Sequence, residues 1–215
     1  MDKTVEYYAK RAQEYESVYD KPERQADLAA LRARLAKACA GRAVLEIACG
    51  TGWWTQVVAR GARGVTALDA SDEMLEIARA KGDASGKVTY VRGDAYGIPD
   101  FGRRHDALLA GFWWSHVPLE RLDAFLEAAG RAVAPGALMV FVDNRYVEGS
   151  STPIARREAG GDTWQLRELA DGSAHEVLKN FPSEGELIRR ATRHGWGANV
   201  ELYPYYWLLT YWSPS

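Results

Sequence analysis

The chain has 215 residues, enough for one α/β domain with a full hydrophobic core. Hydrophobic residues make up 47% of it and charged residues 26%, which is an ordinary globular composition. The net charge of −2, without any block of like charges, gives no support to a nucleic-acid or membrane-surface partner. No apolar run approaches the length of a transmembrane helix.

Cys39 and Cys49 are the two cysteines of the chain. A disulfide between them is formally possible, but Cys49 lies inside a glycine-containing turn. The first eight residues are charged and lack the apolar stretch of a signal peptide. We therefore expect reduced thiols and a cytoplasmic protein. The sequence contains no paired-cysteine or His-x-x-x-His motif and no Gly-x-Ser-x-Gly, so we predict neither a metal site nor a nucleophilic triad.

Residues 4–20 carry aromatic and basic side chains three or four positions apart, which places them on one face of a helix. These residues are Tyr8, Arg11, Tyr15 and Tyr19. Such a face fits either a helix that covers a sheet or a lid over a bound cofactor. Pro22 is predicted to begin a second helix. Its core stripe is Leu28, Leu31 and Leu35.

A glycine turn follows the first predicted strand. Residues 44–47 form a short apolar run, Gly50 and Gly52 turn the chain, and a helix is predicted from Trp53. Glycine reaches positive φ cheaply and lets a ligand approach the backbone. Strand, turn and helix form the first unit of a doubly wound fold, which binds ligands at the carboxyl ends of parallel strands. The ligand site is therefore predicted at this turn.

The middle of the chain continues the alternation of strands and helices. Further strands are predicted at 65–69, 88–91, 106–111 and 137–142. Ser71 is predicted to cap the helix after the second strand, and Pro118 to begin the helix before the fifth. The fifth strand is an unbroken apolar run of the buried parallel kind. This pattern predicts an α/β fold with a doubly wound, Rossmann-like and mostly parallel sheet.

The C-terminal third is predicted to add a small hairpin and to complete the sheet. Residues 147–162 read as a mobile connection, and Asp171-Gly172 is a hairpin signal. Ser183 is predicted to begin a helix through a capping box, and that helix ends before Gly195. Residues 200–212 are predicted to form an antiparallel edge strand.

The glycine turn is a poor dinucleotide site. That site needs Gly-x-Gly-x-x-Gly, with the pyrophosphate on the helix N-terminus. Here Thr55 stands at the third glycine position, and Trp53 and Trp54 crowd the place of the phosphates. Glu46 precedes Gly50 by four residues, and its charge is unfavourable beside a pyrophosphate but favourable beside an ammonium group. A zwitterionic, phosphate-free cofactor therefore fits better, which disfavours an NAD-dependent oxidoreductase.

Four motifs in order resemble those of class I S-adenosylmethionine-dependent methyltransferases of the small-molecule type. They are Glu46-x-x-x-Gly50-x-Gly52, Asp69 at the end of the second strand, Gly93-Asp94-Ala95, and the strand 106–112. Together they cover roughly residues 44–142. The resemblance implies S-adenosyl-L-methionine as the cofactor, with S-adenosyl-L-homocysteine as its product.

The resemblance also implies a set of cofactor-binding residues. The set is Tyr8, Arg11, Tyr15, Glu46, Ala48, Gly50, Gly52, Trp53, Asp69, Ala70, Met74, Asp94, Ala95 and Gly111. In it, Arg11 pairs with the methionine carboxylate, Asp69 accepts hydrogen bonds from the ribose hydroxyls, and Asp94 faces the adenine amine. Met74 has the alternative of being a plain core residue.

Bulky aromatic residues and a histidine follow the fourth strand, where a methyl acceptor is expected. The predicted acceptor-binding residues are Trp113, Trp114, Asn144 and Tyr146. His116 either braces the next helix or orients or deprotonates the acceptor, since its unperturbed pKa of about 6.5 lies near working pH. The Asn/Asp-Pro-Pro-aromatic tetrad of the enzymes that methylate DNA bases is absent, which argues against a nucleic-acid substrate.

These observations predict a methyltransferase that acts on N or O of a small aromatic or heteroaromatic molecule by in-line transfer. Such a displacement needs alignment of the acceptor with the S–CH₃ bond, and aromatic faces suit a sulfonium. Two alternatives stay open: a protein or lipid-headgroup amine as acceptor, and a non-catalytic S-adenosylmethionine-binding module. The sequence does not indicate an oligomeric state.

We expect a single methyltransferase domain over residues 1–215. It comprises N-terminal helices and a lid (1–40), a cofactor-binding core (41–142), a loop and hairpin near the acceptor site (143–180), and a C-terminal helix and strands (181–215).

Overall fold

The computed structural model describes residues 3–83, 85–102 and 104–215, with side chains from Tyr7 onward. Its strands form a seven-stranded and a three-stranded sheet. Met1 and Asp2, which the prediction assigned to the lid, lie outside the described residues. None of the helices in these ranges has the length and apolarity needed to cross a bilayer.

The described residues contain six α-helices and three 3₁₀ segments. The helices are α1 (Lys3–Arg11), α2 (Gln25–Cys39), α3 (Trp53–Val58), α4 (Asp72–Ala80), α5 (Leu122–Arg131) and α6 (Glu184–His194). The 3₁₀ segments are Ala12–Tyr19, Pro22–Arg24 and Trp114–His116. The predicted N-terminal helix over 4–20 is therefore divided, because its second half winds as a 3₁₀ helix.

The strands alternate with the helices as far as β5, except that β4 follows β3 without a helix between them. They are β1 (Ala43–Ile47), β2 (Gly64–Asp69), β3 (Val88–Arg92), β4 (Ala107–Gly111), β5 (Leu138–Asn144), β6 (Arg156–Arg157), β7 (Thr163–Glu168), β8 (Ala174–Leu178), β9 (Trp196–Leu202) and β10 (Tyr206–Trp212). The hairpin predicted at Asp171-Gly172 is confirmed, since β7 and β8 pair antiparallel across it.

The large sheet has the order β3-β2-β1-β4-β5-β10-β9. Strands β1 to β5 run parallel, and β10 is antiparallel to β5 and to β9. The order reverses between β1 and β4, which is the switch point where doubly wound folds bind ligands. The predicted Rossmann-like sheet is confirmed.

The C-terminal tail does not form the single edge strand that the sequence predicts. It forms β10, which lies between β5 and β9, and β9 is the edge. A turn before Tyr206 reverses the chain, with the Tyr203 N–H donating to the Tyr206 carbonyl at 2.9 Å. Six of the seven β10 residues are buried, because both of its edges are paired and both of its faces are covered.

Alternating strand residues build a hydrophobic core on each face of the large sheet. On one face, Val44 and Leu109 pack with the fully buried leucine stripe of α2, as predicted. On the other, Leu45 and Phe141 pack with residues of α5 and α6 such as Phe125. The sheet is thus covered on both sides and presents its strand ends to the ligand site.

Local signals at helix ends are mostly confirmed. The Met74 N–H donates to Ser71 Oγ at 3.2 Å, and Ser183 and Glu186 form a capping box. Helix α5, in contrast, begins at Leu122 and not at Pro118. Pro118 begins a turn instead, in which the Arg121 N–H donates to the Pro118 carbonyl at 2.9 Å.

Substitution of Gly52 is predicted to be costly, because its φ is +74° and an added Cβ would lie 3.1 Å from both Ala78 Cβ and Tyr90 Oη. Gly82 is a matched control, with φ +71° and nothing within 4 Å. We expect Gly82→Ala to lower the free energy of unfolding by about 1–2 kcal/mol, and Gly52→Ala by about 1–3 kcal/mol more. Urea unfolding measures both changes, and equal losses would contradict the packing argument.

Candidate active site

A cavity of about 560 Å³ opens at the carboxyl ends of β1, β2, β3 and β4. We call it the switch-point cavity. Twelve of its lining residues are predicted site residues: Tyr8, Tyr15, Ala48, Gly50, Asp69, Ala70, Met74, Asp94, Ala95, Gly111, Trp113 and His116. The others are Leu68, Ser71, Arg92, Gly93, Tyr96, Phe112 and Arg121. The structure thus brings residues of four strand ends and the N-terminal segment together.

Asp69 fixes the floor of the switch-point cavity. Its Oδ2 accepts a hydrogen bond from the Gly50 N–H at 2.8 Å, and its Oδ1 accepts one from the Ser71 N–H at 2.9 Å. Burial raises the pKa of Asp69, while these backbone donors oppose the rise. A carboxylate oxygen accepts more than one hydrogen bond, so Asp69 retains capacity for a ligand hydroxyl.

Two non-glycine residues of this cavity have a left-handed backbone conformation. Ala48 has φ 53° and Phe112 has φ 57°, and they are the two such residues in the described ranges. They follow β1 and β4, on either side of the switch point. Each such conformation costs of order 1–3 kcal/mol and persists where the surrounding structure imposes it. No sequence pattern predicted the left-handed backbone conformation of Phe112.

Four predicted cofactor residues lie outside the lining of the switch-point cavity. Arg11 lines a neighbouring cavity, and the other three lie around the glycine turn. Glu46 is 2% exposed, and its Oε2 accepts a hydrogen bond from Thr55 Oγ1 at 2.6 Å. Gly52 approaches Ala78, and Trp53 stacks on the Tyr19 ring with centroids 4.0 Å apart. These contacts tie the turn to its surroundings: Glu46 to α3, Gly52 to α4, and Trp53 to the N-terminal 3₁₀ segment.

The N-terminal 3₁₀ segment is attached to the glycine turn. Glu16 Oε1 accepts hydrogen bonds from Thr51 Oγ1, at 2.6 Å, and from Lys81 Nζ. Lys81 Nζ also donates to the Thr51 carbonyl at 2.7 Å. These contacts hold Tyr15 in the cavity lining, which favours the lid over a helix that merely covers the sheet.

A second cavity, of about 330 Å³, shares four lining residues with the first: Tyr8, Tyr15, Phe112 and His116. We call these four the shared wall. Five basic side chains line this second cavity, namely Arg11, Lys21, Arg24, Arg167 and Lys179. Glu168 is the one carboxylate among the described residues of its lining. We call it the cationic cavity.

Two guanidinium groups of the cationic cavity have neutral partners only. Arg24 is 6% exposed and donates to Asn144 Oδ1 at 3.0 Å and to Ser150 Oγ at 2.9 Å. Arg167 is half-buried and donates to Gln165 Oε1 at 2.7 Å. Within the described part of the chain, neither forms an ion pair with a carboxylate. Neither charge is therefore neutralised by direct contact with a carboxylate, although Arg24 contributes to lowering the pKa of the nearby Glu23.

Lys179 is the exception, since it forms a buried ion pair. Its Nζ lies 2.8 Å from Asp143 Oδ1 and 2.6 Å from Ser115 Oγ, and that hydroxyl donates to Asp143 Oδ2 at 2.7 Å. Burial opposes ionisation of Asp143, but the charge of Lys179 and the hydrogen bonds from Lys179 and Ser115 together hold the pKa of Asp143 below its ordinary value. Burial lowers the pKa of Lys179. The pair joins the ends of β5 and β8 to the 3₁₀ turn before α5.

His116 has both ring nitrogens occupied. Nδ1 lies 2.6 Å from the Leu178 carbonyl and Nε2 lies 2.9 Å from the Tyr8 hydroxyl. Burial and the charge of Lys179 lower the pKa of His116 well below its ordinary value. A carbonyl only accepts, so the neutral ring donates through Nδ1 and accepts from Tyr8 at Nε2.

The four predicted acceptor residues are distributed over three cavities. Trp113 lines the switch-point cavity, and Asn144 lines the cationic cavity. Trp114 and Tyr146 line a third cavity and are not brought to the shared wall. Successive residues of a 3₁₀ turn point in different directions, which separates Trp113 from Trp114.

Comparison with known proteins agrees with this geometry. Residues 44–136 match the family described as a methyltransferase domain. The demethylmenaquinone methyltransferase of Staphylococcus haemolyticus strain JCSC1435 is 34% identical over 106 residues, which are 48% of this chain and 44% of that protein. The chain therefore spans less than half the length of this curated relative.

Solved structures extend the similarity over the whole chain. The complex of DhpI with SAH is 33% identical, with a TM-score of 0.80 over 99% of this chain and 96% of that one. The DhpI complex with SAM and HEP is 34% identical, with a TM-score of 0.81 over 97% and 95%. The chain belongs to the class I S-adenosylmethionine-dependent methyltransferases. It is an enzyme whose cofactor is S-adenosylmethionine.

Glu46 is predicted to make stability depend on pH. Burial raises its pKa to about 8, against about 4.3 in an unfolded chain. Its contribution to stability is therefore fully present below pH 4.3 and is lost as the pH rises through about 8. Glu46→Gln keeps an acceptor for Thr55 and has no proton to lose.

We expect the unfolding midpoint of Glu46→Gln, relative to wild type, to rise steadily between pH 6 and 8.5 in ligand-free protein. Circular dichroism melts measure this difference, with the exposed Glu76→Gln variant as control. A difference that stays constant with pH would show that Glu46 is ionised in the folded protein throughout this range.

Proposed function

We propose that this enzyme methylates an anionic oxygen of a small molecule that binds in the cationic cavity. The cofactor is assigned to the switch-point cavity, and the two ligands meet at the shared wall of Tyr8, Tyr15, Phe112 and His116. Because the two cavities together draw residues from the segments 1–40, 41–142 and 143–180, we treat the chain as one functional domain.

The lining of the switch-point cavity fits an adenosyl cofactor. Its volume lies within the ordinary range of small-ligand sites. The buried Trp113 Nε1 has no partner in the described residues, and it is available as a donor to a ligand. Asp69 is positioned to accept hydrogen bonds from ribose hydroxyls, and Asp94 and Ala95 are assigned to the adenine. Arg11, which lines the cationic cavity near the shared wall, remains assigned to the methionine carboxylate.

The observation that carries the acceptor proposal is the pair Arg24 and Arg167. A buried charge without a counterion is expensive, and a ligand anion supplies the counterion that the chain lacks. The paired N–H donors of a guanidinium group match the spacing of two oxygens in a carboxylate, phosphate or phosphonate group. An amine acceptor would instead add a positive charge to a lining that already holds five basic groups. The geometry therefore favours an oxyanion over the amine and aromatic acceptors expected from the sequence.

In the proposed reaction, the main task of the protein is to position the cofactor and the acceptor. When bound, the cofactor supplies an electrophilic methyl group. Arg24, Arg167 and Lys179 hold the oxyanion, whose oxygen is already nucleophilic and needs no general base. His116 is assigned a positioning role, since its neutral ring accepts the Tyr8 hydroxyl and holds that side chain at the shared wall.

The proposed acceptor class is tested by measuring S-adenosylhomocysteine release over a panel of phosphonates, phosphate monoesters, carboxylates, phenols and amines. We expect turnover among the oxyanions.

With the best substrate, Arg167→Ala should raise KM at least about tenfold, because a charged hydrogen-bond partner is lost. Its affinity for S-adenosylhomocysteine should stay within twofold. Arg60→Ala, an exposed arginine on the far side of the glycine turn, is the control and should change neither value. Turnover confined to amines or phenols would overturn the assignment.

His116→Ala and Tyr8→Phe are predicted to lower kcat to a similar extent, about tenfold, since each removes the same hydrogen bond. The double variant should be little worse than either single one.

The pH profile of kcat in the wild type should be flat between pH 6 and 8, because His116 stays neutral throughout. A limb with a pKa near 6.5 that disappears in His116→Ala would identify His116 as a general base.

A further inference from the structure

A third cavity, of about 500 Å³, lies between the hairpin of β7 and β8, the loop after β5, and helix α6. We call it the outer cavity. It shares one lining residue, Phe181, with the cationic cavity and none with the switch-point cavity. The methylation chemistry proposed above uses none of its other residues. Its volume is in the range of ordinary small-ligand sites.

The floor of the outer cavity is apolar and aromatic. Trp114 and Leu122 are each 2% exposed and form its buried base. Tyr146 packs edge-on against Phe181, with ring centroids 5.3 Å apart, and Tyr146 is 41% exposed. Ile154 adds an aliphatic side chain from the loop. The flat, apolar part of a ligand could pack against these aromatic side chains.

The rim of the outer cavity is basic. Four arginines line it, namely Arg157, Arg189, Arg190 and Arg193, and Glu186 is the one acid among its described lining residues. Arg190 and Arg193 are paired with Asp123. The Glu186 carboxylate accepts hydrogen bonds from the backbone and hydroxyl of Ser183 in the capping box.

Two of these arginines form no ion pair with a carboxylate in the described parts of the chain, although the charge of Arg189, like that of Arg190, helps to lower the pKa of Glu186. They are Arg157, on β6, and Arg189, on α6. In contrast, the neighbouring Arg156 is paired with Glu158 and Glu176. The unpaired guanidinium groups therefore come from two separate elements that border the same cavity.

We infer that the outer cavity is a second ligand site, which binds a small molecule with a flat apolar body and one anionic group. The apolar body lies on the floor formed by Trp114, Leu122 and Phe181. The anionic group pairs with Arg157 and Arg189, which hold it in the fork geometry typical of arginine. This site is distinct from both cavities used in the methyl transfer.

The inference is tested with 8-anilinonaphthalene-1-sulfonate, an aromatic sulfonate whose fluorescence rises in apolar surroundings. The titration is done with the folded wild-type protein saturated with S-adenosylhomocysteine, which fills the cofactor site. We expect one saturable site. The double variant Arg157→Ala/Arg189→Ala should weaken binding at least about tenfold, and Ile154→Glu should weaken it similarly by placing a negative charge beside the anion.

The matched control is Arg60→Ala/Arg79→Ala, which removes two exposed arginines elsewhere and should leave the affinity within twofold. Arg167→Ala should also leave it unchanged, which separates this site from the proposed acceptor site. Equal weakening by the control pair, or loss of binding in Arg167→Ala, would overturn the inference. Near-ultraviolet circular dichroism and the unfolding midpoint of each variant show that the fold is retained.

Discussion

The hydrogen bond from the Gly50 N–H to Asp69 Oδ2 is the contact on which the cofactor site depends. It joins the end of β2 to the glycine turn after β1, and the second oxygen of Asp69 holds the start of the α4 region through Ser71. A hydrogen bond to a charged group contributes about 1.5–3 kcal/mol, so this small set of contacts is strong enough to fix the turn. Ala48 and Phe112 keep their left-handed backbone beside it. The protein thus builds the cavity before any ligand arrives.

The second organising feature is the distribution of charge across the shared wall. On one side, the switch-point cavity contains the acids Asp69 and Asp94; on the other, the cationic cavity contains Arg24, Arg167 and Lys179. Between them His116 stays neutral, because burial and Lys179 disfavour its protonation. An anionic acceptor would meet complementary charge in the cationic cavity, and its attraction to the cationic donor would favour close approach. The switch-point cavity itself has a balanced lining, since Arg92 and Arg121 line it beside the two acids. The Lys179–Asp143 ion pair holds the hairpin against the sheet at this position, which ties the acceptor side to the fold.

Sequence reasoning predicted the sheet, its helices and most of the switch-point cavity, because those features follow from local patterns and ordered motifs. Strand ends in a parallel sheet converge on one edge, so Gly50, Asp69 and Asp94 could be placed together from their positions alone. The cationic cavity could not be predicted in this way. The three basic residues meet only through the packing of the hairpin, because Arg24 lies far along the chain from Arg167 and Lys179. Nothing in the sequence distinguishes them from surface charges. Glu46 shows a second limit: its motif was recognised, but the direction of its side chain toward Thr55 depends on tertiary contacts.

The most direct test of the account is a crystal structure of the enzyme with S-adenosylhomocysteine and inorganic phosphate bound together. The account predicts the ribose hydroxyls at Asp69 and the phosphate within hydrogen-bond distance of Arg24 or Arg167. The cofactor sulfur should then face the phosphate at the shared wall of Tyr8, Tyr15, Phe112 and His116. Phosphate bound only elsewhere on the protein, with the cationic cavity empty of it, or a cofactor sulfur directed away from that wall, would contradict the account.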